Sequence, residues 1–112
     1  MREPSLKAGI WIKAQIRQCD IDFIPAFIVR KGDPDAGSVL LVLDRYEAGN
    51  ELYTQARTTE GERAWVKAAG GKTIDRQETA EFIERQVNRD PDLWVLEIED
   101  PDHRYELDGP VL

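Results

Sequence analysis

Two continuously apolar stretches, residues 26–29 and 39–43, constrain the fold of this chain more than any other feature. Short apolar runs bounded by turn-forming residues are typical of β-strands, and the connection between these two is rich in glycine, proline and aspartate. We therefore predict a β-hairpin at the centre of a sheet. Because neither run alternates with polar residues, we expect both strands to be covered on both faces. One helix covers one face, and a second helix, the rest of the chain or a second subunit must cover the other.

Two segments show the spacing of amphipathic helices. Residues 6–20 follow the capping residue Ser5 and also fit an alternating strand, but their abundance of Ala, Lys, Gln and Arg favours a helix. The second helix begins at a capping box formed by Asp75 and Glu78 and ends before Pro91. The predicted apolar faces consist of Ala8, Ile10, Trp11, Ile12, Ile16 and Cys19 in the first helix and of Ala80, Phe82, Ile83 and Val87 in the second.

Further strands are predicted at residues 51–57, 63–67 and 93–99. The resulting order, α-β-β-β-β-α-β, indicates an α+β fold with a mostly antiparallel sheet of about five strands. We expect the two helices to pack on one face of this sheet. A short return strand is predicted after the last of these segments, with alternating His103, Tyr105 and Leu107.

Length and charge narrow the class of protein. The 112 residues predict a single domain, with loose ends at residues 1–5 and 108–112. The net charge of −7 argues against nucleic acid and anionic membranes as partners, since both are negatively charged. A single cysteine and the lack of a long apolar segment predict a soluble cytoplasmic protein.

The tripeptide Asp-Pro-Asp occurs three times, at residues 33–35, 90–92 and 100–102. Carboxylates two residues apart begin many calcium-binding loops, but no copy is followed by the glycine and distal glutamate that such loops require. Proline and aspartate in this order are typical of turns, so we interpret the motif as a turn and predict no metal site. The first copy lies between Arg30-Lys31 and Gly37, in a loop whose glycines would let backbone N–H groups face an anion.

Side chains suited to catalysis are few and scattered. His103 is the single histidine, and Cys19 lies on an apolar helix face, where cysteine is typical of a small core residue. Glu97 and Glu99 share one strand face and would form an acid–base pair only if both were buried. We therefore predict no catalytic residue, no metal ligand and no cofactor. The candidate binding residues are Arg30, Lys31, Asp33, Asp35 and Gly37 in the 30–37 loop, together with Arg17 and Glu97.

Several blocks of the sequence resemble one protein family. They are Trp11-Ile-Lys13-Ala14 with Arg17 and Cys19, the segment Arg30-Lys-Gly32-Asp33-Pro-Asp35-Ala36-Gly37, the segment Asp90-Pro91-Asp92-Leu93-Trp94, and Glu97-Ile-Glu99-Asp100. Together they resemble domain of unknown function family 1491, which consists of short proteins found mainly in alphaproteobacteria. The resemblance spans about residues 8–107 and implies a stand-alone bacterial cytosolic domain. It implies no activity and no catalytic residue.

Two hypotheses for the function follow. The first is a non-enzymatic protein-interaction module that associates with a protein partner or with a second copy of itself, as in a homodimer. It is motivated by the apolarity of residues 26–29 and 39–43 beside only two helices, and an exposed tryptophan among Trp11, Trp65 and Trp94 would mark the partner site. The alternative is a small-molecule or anion-binding protein, or a small enzyme, that uses the 30–37 loop.

Overall fold

A five-stranded sheet with one long helix on each face forms the protein, and the computed structural model describes residues 7–112. The predicted order of elements is confirmed. Ser5 and Leu6, the predicted cap and first residue of the first helix, lie outside the described residues. The elements are α1 (Ala8–Ile21), β1 (Ala26–Arg30), β2 (Val39–Asp44), β3 (Asn50–Arg57), β4 (Arg63–Lys67), α2 (Arg76–Arg89) and β5 (Trp94–Glu99).

The strands lie in the order β1-β5-β2-β3-β4, so the last strand is inserted between the first two. β5 runs antiparallel to β1 and parallel to β2, with Val39 opposite Trp94 and Leu43 opposite Ile98. The predicted mostly antiparallel sheet is confirmed, because this is its one parallel pairing within the described residues. The predicted hairpin between β1 and β2 is wrong. Instead, β2 pairs with β5 at the buried centre of the sheet.

The two helices lie on opposite faces of the sheet, so the prediction of one shared face is wrong. Alternate side chains of the buried strand β2 point to opposite faces and form two separate clusters. The α1 cluster includes Trp11, Ile12, Cys19, Leu41, Leu43, Trp65, Trp94, Leu96 and Ile98. The α2 cluster includes Leu40, Val42, Leu52, Val95, Phe82, Ile83 and Val87. α2 therefore covers the second face of the sheet. For that face the sequence had left open a second helix, the rest of the chain or a second subunit.

The predicted burial on both faces is confirmed for β2 and wrong for β1. All of the apolar residues of β2 are buried. In β1, however, Phe27, Ile28 and Val29 remain 42%, 42% and 46% exposed. The physical reason is that β1 is an edge strand with a neighbouring strand on one side only, so these side chains are packed less completely than those of β2.

The chain after β5 is held against the body of the protein. Residues 103–107 do not form the predicted return strand, because Tyr105 and Leu107 pack against the α1 cluster instead. Residues 108–112, expected to be loose, lie along β4. The Trp65 N–H donates to the Pro110 carbonyl over 2.9 Å, and the Leu112 N–H donates to the Trp65 carbonyl over 2.8 Å.

Candidate functional site

The 30–37 loop, which carried most of the predicted binding residues, is tied to the start of β5. Arg30 Nη1 donates to the Leu93 carbonyl over 2.7 Å, and Trp94 Nε1 donates to the Asp33 carbonyl over 2.7 Å. Gly37 approaches β5 so closely that an added Cβ would lie 2.4 Å from the Asp92 carbonyl oxygen. These contacts give Arg30 and Gly37 a role in joining the loop to the sheet.

The Asp33 carboxylate occupies the N–H groups that an external anion would need. Its Oδ1 accepts from the N–H of Asp35 over 2.9 Å and from the N–H of Ala36 over 2.8 Å. The hydrogen bonds from Ala36 and Asp35 lower the pKa of the Asp33 carboxyl below its ordinary value. Asp35 itself forms an exposed ion pair of 3.5 Å with Lys7, and Lys31 is exposed. The first Asp-Pro-Asp copy is therefore a hydrogen-bonded turn, as interpreted from its sequence.

A shallow cavity of about 380 Å³ lies beside this loop, between the start of β2 and the end of β3. Its cations are Lys7, which pairs with Asp35, and Arg57, whose Nη1 donates to the Gly61 carbonyl over 3.0 Å. Both side chains are exposed, so water competes for their charges. Ligand binding by the loop stays a prediction.

Arg17 and Glu97 lie away from the loop and from each other. The loop contacts α1 at Gly9, whose N–H donates to the Pro34 carbonyl over 2.9 Å. Arg17 is eight residues further along, or about 12 Å at 1.5 Å per residue, and its side chain is exposed. Glu97 opposes Phe27 on β1 and points to the α2 face. The seven predicted residues do not form one site.

Glu97 lines a second cavity, of about 600 Å³, between α2 and the β1 side of the sheet. Burial raises the pKa of its carboxyl, and the nearby Asp44 raises it further, whereas Arg76 opposes the shift. Its lining includes the apolar residues Val29 and Ile83, together with Tyr46 and Glu47. Within residues 7–112, no group of three or more His, Cys, Asp and Glu side chains is placed to hold a metal ion.

A buried ionic network was not predicted from the sequence. Arg45 Nε donates to Glu51 Oε1 over 2.7 Å, and Arg45 Nη1 donates to Asp100 Oδ2 over 2.7 Å. Burial alone would raise the pKa of Asp100, but N–H groups of Tyr105 and Arg104 and the Arg45 guanidinium lower it below its ordinary value. No sequence signal connects Asp100 to Arg45 and Glu51, which lie about fifty residues earlier in the chain. The buried polar atoms of these side chains all have hydrogen-bond partners, as expected of a structural network.

The two edges of the sheet differ, and this difference identifies the candidate site. The β4 edge is covered by residues 110–112, with Val111 forming a bridge to Trp65. Within the described residues, β1 pairs with β5 on its inner side and with no segment on its outer side. Three adjacent apolar side chains are exposed at this outer edge. We call Phe27, Ile28 and Val29, with the outward backbone groups of β1, the β1 edge. We predicted this strand from the sequence but expected it in the core, because its apolar pattern is the same as that of a buried strand.

Phe23 extends this apolar surface into the turn that precedes β1. Its side chain is 88% exposed and its backbone is left-handed, with φ of 59°. The three tryptophans, in contrast, are buried, so none of them marks a partner site. No helix within the described residues is long and apolar enough to span a bilayer.

Comparison with known proteins identifies relatives of the same size. The family described as "Protein of unknown function (DUF1491)" matches residues 6–108. A crystal structure of a DUF1491 family protein from Caulobacter crescentus CB15 has 37% identity and a TM-score of 0.83, over 96% of this chain and 100% of that one. An NMR structure of a DUF1491 family protein from the same organism has 37% identity and a TM-score of 0.81, over 98% and 99%. The solution structure of Atu0922 from A. tumefaciens has 26% identity and a TM-score of 0.72, over 91% and 88%. No curated protein matches the chain.

Proposed function

Because the chain belongs to the DUF1491 family, whose function is unknown, we propose a function from the chain's own surface. The protein is a non-enzymatic interaction module that associates with a second copy of itself through the β1 edge. The β1 side chains that motivated this hypothesis are apolar, as predicted. However, they lie at an edge of the sheet and not on a sheet face that lacks a covering helix.

The observation that supports the proposal is the contrast between the two sheet edges. Unpaired strand edges promote association, and proteins usually protect them with charged residues, proline or a covering segment. Residues 110–112 give β4 such a cover. In β1, the register against β5 shifts between Ile28 and Arg30, which is the kind of irregularity that can also protect an edge. However, no described segment covers this strand and no charged residue occurs before Arg30, so Phe27–Val29 present apolar side chains on both faces beside unpaired backbone groups.

A second copy fits this edge because an antiparallel strand pair is symmetric. Pairing β1 with its own copy about a two-fold axis gives each edge the same partner surface and closes the assembly as a dimer. The two five-stranded sheets then continue as one sheet, and α1 of both copies lies on the same side. Backbone hydrogen bonds supply part of the affinity, as in other cases of strand addition.

Light scattering and sedimentation velocity across a wide concentration range test the proposal. We expect a dimer whose dissociation constant rises more than about tenfold in Ile28→Lys, because each of the two Ile28 side chains is 42% exposed and loses about 1 kcal/mol of further burial. Two lysines facing each other across the axis add repulsion. Val66→Lys is the matched control, since Val66 is 40% exposed on the covered edge strand β4. A wild type that stays monomeric throughout, or equal effects of both substitutions, would contradict the proposal.

The net charge of −7 argues against nucleic acid or an anionic membrane surface as the partner. The single cysteine, Cys19, motivates the expectation of a cytoplasmic location, which cell fractionation would test. For the alternative function, a ligand of the 30–37 loop, a thermal-shift screen with phosphates, nucleotides and divalent metals is the test. A ligand-induced shift that Arg57→Ala abolishes would favour that alternative.

A further inference from the structure

Phe23 combines a left-handed backbone with an exposed aromatic ring. It directly follows the helix cap Asp22, where the hydrogen bonds that end α1 require a left-handed residue. A bulky residue with positive φ is strained, because its Cβ lies too close to its own backbone. Its ring is also 88% exposed, so it contributes almost no burial to the folded chain. An exposed aromatic ring beside an apolar strand edge is a candidate anchor for a binding partner.

We propose that Phe23 anchors the interface between two copies, where its ring packs against the Arg30–Lys31 end of the partner's strand. This inference rests on the proposed self-association and specifies which side chain contributes most to the affinity of the dimer. Exposed aromatic rings that become buried in a complex dominate the energy of many interfaces.

The antiparallel arrangement places the two groups together. When β1 pairs with its copy near Ile28, the start of each strand lies beside the end of the other. Phe23 precedes the start of β1, and Lys31 directly follows its end. The Arg30 guanidinium already donates to Leu93, whereas Lys31 is exposed and can place its ammonium over an aromatic face.

Charge complementarity supports a second copy as the occupant. Asp20 and Asp22, both exposed, precede β1, whereas Arg30 and Lys31 are at its end. Asp33 and Asp35 follow Lys31, but the Asp33 carboxylate accepts hydrogen bonds within its own turn and Asp35 pairs with Lys7. In an antiparallel pair the acidic end of one copy therefore meets the basic end of the other. A parallel pair would bring like charges together, which disfavours it.

The turn that carries Phe23 is held in place before any partner binds. The Phe23 N–H donates to the Asp20 carbonyl over 3.2 Å, and the Ile24 N–H donates to the Cys19 carbonyl over 2.8 Å. Arg104 Nη2 also donates to the Asp22 carbonyl. An anchor fixed in this way loses little conformational freedom on association.

Phe23→Asn, measured by sedimentation velocity and thermal unfolding, tests the anchor role. Asparagine adopts left-handed φ readily, so the melting temperature of the dissociated protein should stay the same or rise. The dissociation constant of the dimer should rise by about tenfold or more. Tyr46→Asn is a matched control, since Tyr46 is also aromatic, exposed and left-handed, with φ of 58°, but lies outside β1 and its preceding turn. It should leave the dissociation constant unchanged.

Two results would distinguish the anchor role of Phe23 from the self-association through the β1 edge on which that role depends. If Ile28→Lys dissociates the dimer while Phe23→Asn does not weaken it, the anchor role is wrong and the proposed function stands. If the wild type is monomeric, both are wrong. As a second variant, Lys31→Met should weaken the dimer and reduce its dependence on salt, whereas Lys13→Met, an exposed lysine on α1, should do neither. Equal behaviour of the two lysine variants would overturn the proposed contact.

Discussion

Replacing Arg45 with methionine is expected to destabilise the protein by about 3 kcal/mol, a large part of the roughly 5–15 kcal/mol that keeps a domain folded. Arg45 donates to Glu51 over 2.7 Å and to the side chain and carbonyl of Asp100 over 2.7 and 2.6 Å. The Asp100 side chain is 2% exposed, so losing the guanidinium leaves a carboxylate buried without its countercharge. We expect the lower part of the roughly 3–5 kcal/mol range for broken buried pairs, because Arg104 and Tyr105 still donate to that carboxylate.

The effect of Arg45→Met should depend on pH. The net pKa shifts of Asp100 and Glu51 are both downward, although burial alone would raise these pKa values. A depressed folded-state pKa contributes stability above the unfolded-state value of about 4, and this stability is lost as pH falls through the folded-state pKa. The difference in the free energy of unfolding between wild type and Arg45→Met should therefore reach its largest value at neutral pH and decrease below about pH 4.

Urea denaturation followed by tryptophan fluorescence at several pH values measures this difference. Lys67→Met is the control, because the Lys67 ammonium also pairs with Glu51, at 3.7 Å, but its side chain is 38% exposed. Removing that pair should cost less than about 1 kcal/mol, since solvent screens it. A loss below about 1 kcal/mol for Arg45→Met, or a loss that stays constant down to about pH 3, would refute the assigned role of the network.

Three further predictions concern other parts of the fold. Gly32→Ala should lower the free energy of unfolding by about 2 kcal/mol or more in urea titrations, because the new Cβ would lie 2.1 Å from the Asp92 carbonyl oxygen; an unchanged midpoint would contradict this packing. Asp75→Ala should cost about 1 kcal/mol by removing the cap on the Glu78 N–H, and Asp75→Ser should restore most of it; equal stabilities would refute the cap. Burial raises the pKa of Cys19 from 9.0 to about 11, so at pH 8 a thiol reagent should react at least about a hundredfold more slowly with native than with denatured protein; rapid native labelling would contradict that burial.

Local features of the fold were predictable because neighbouring residues determine them. The capping box of Asp75 and Glu78 is present, and α2 ends at Arg89, before Pro91. Asp33 and Asp90 accept hydrogen bonds from backbone groups two residues on, as expected of turns. In each case the interacting groups lie within a few residues of one another, so the sequence alone specifies the contact.

Strand order was not predictable from the same evidence. Residues 93–96 are continuously apolar, as are residues 39–43. Such a pattern predicts that a strand is buried but does not identify the strand that pairs with it. The chain forms β3, β4 and α2 before β5 returns beside β2. The positions of the two helices on opposite faces follow from that crossover and have no local signal.

The candidate site was missed for a related reason. Phe27, Ile28 and Val29 have the apolarity of a core strand, yet they lie at an edge. Whether such residues are covered depends on what packs beside them, which is a long-range property. The exposure of Phe23 likewise follows from its turn geometry, and no residue pattern indicated it.

Hydrogen–deuterium exchange at low and high protein concentration is the most direct test of association through the β1 edge. Strand pairing across a two-fold axis would hydrogen-bond the outward amides of β1 and slow their exchange. We predict that protection within residues 26–30 increases with concentration, while protection of β4, already covered by residues 110–112, stays constant. Rapid exchange at the β1 edge at every concentration, in a sample that light scattering shows to be dimeric, would contradict the account.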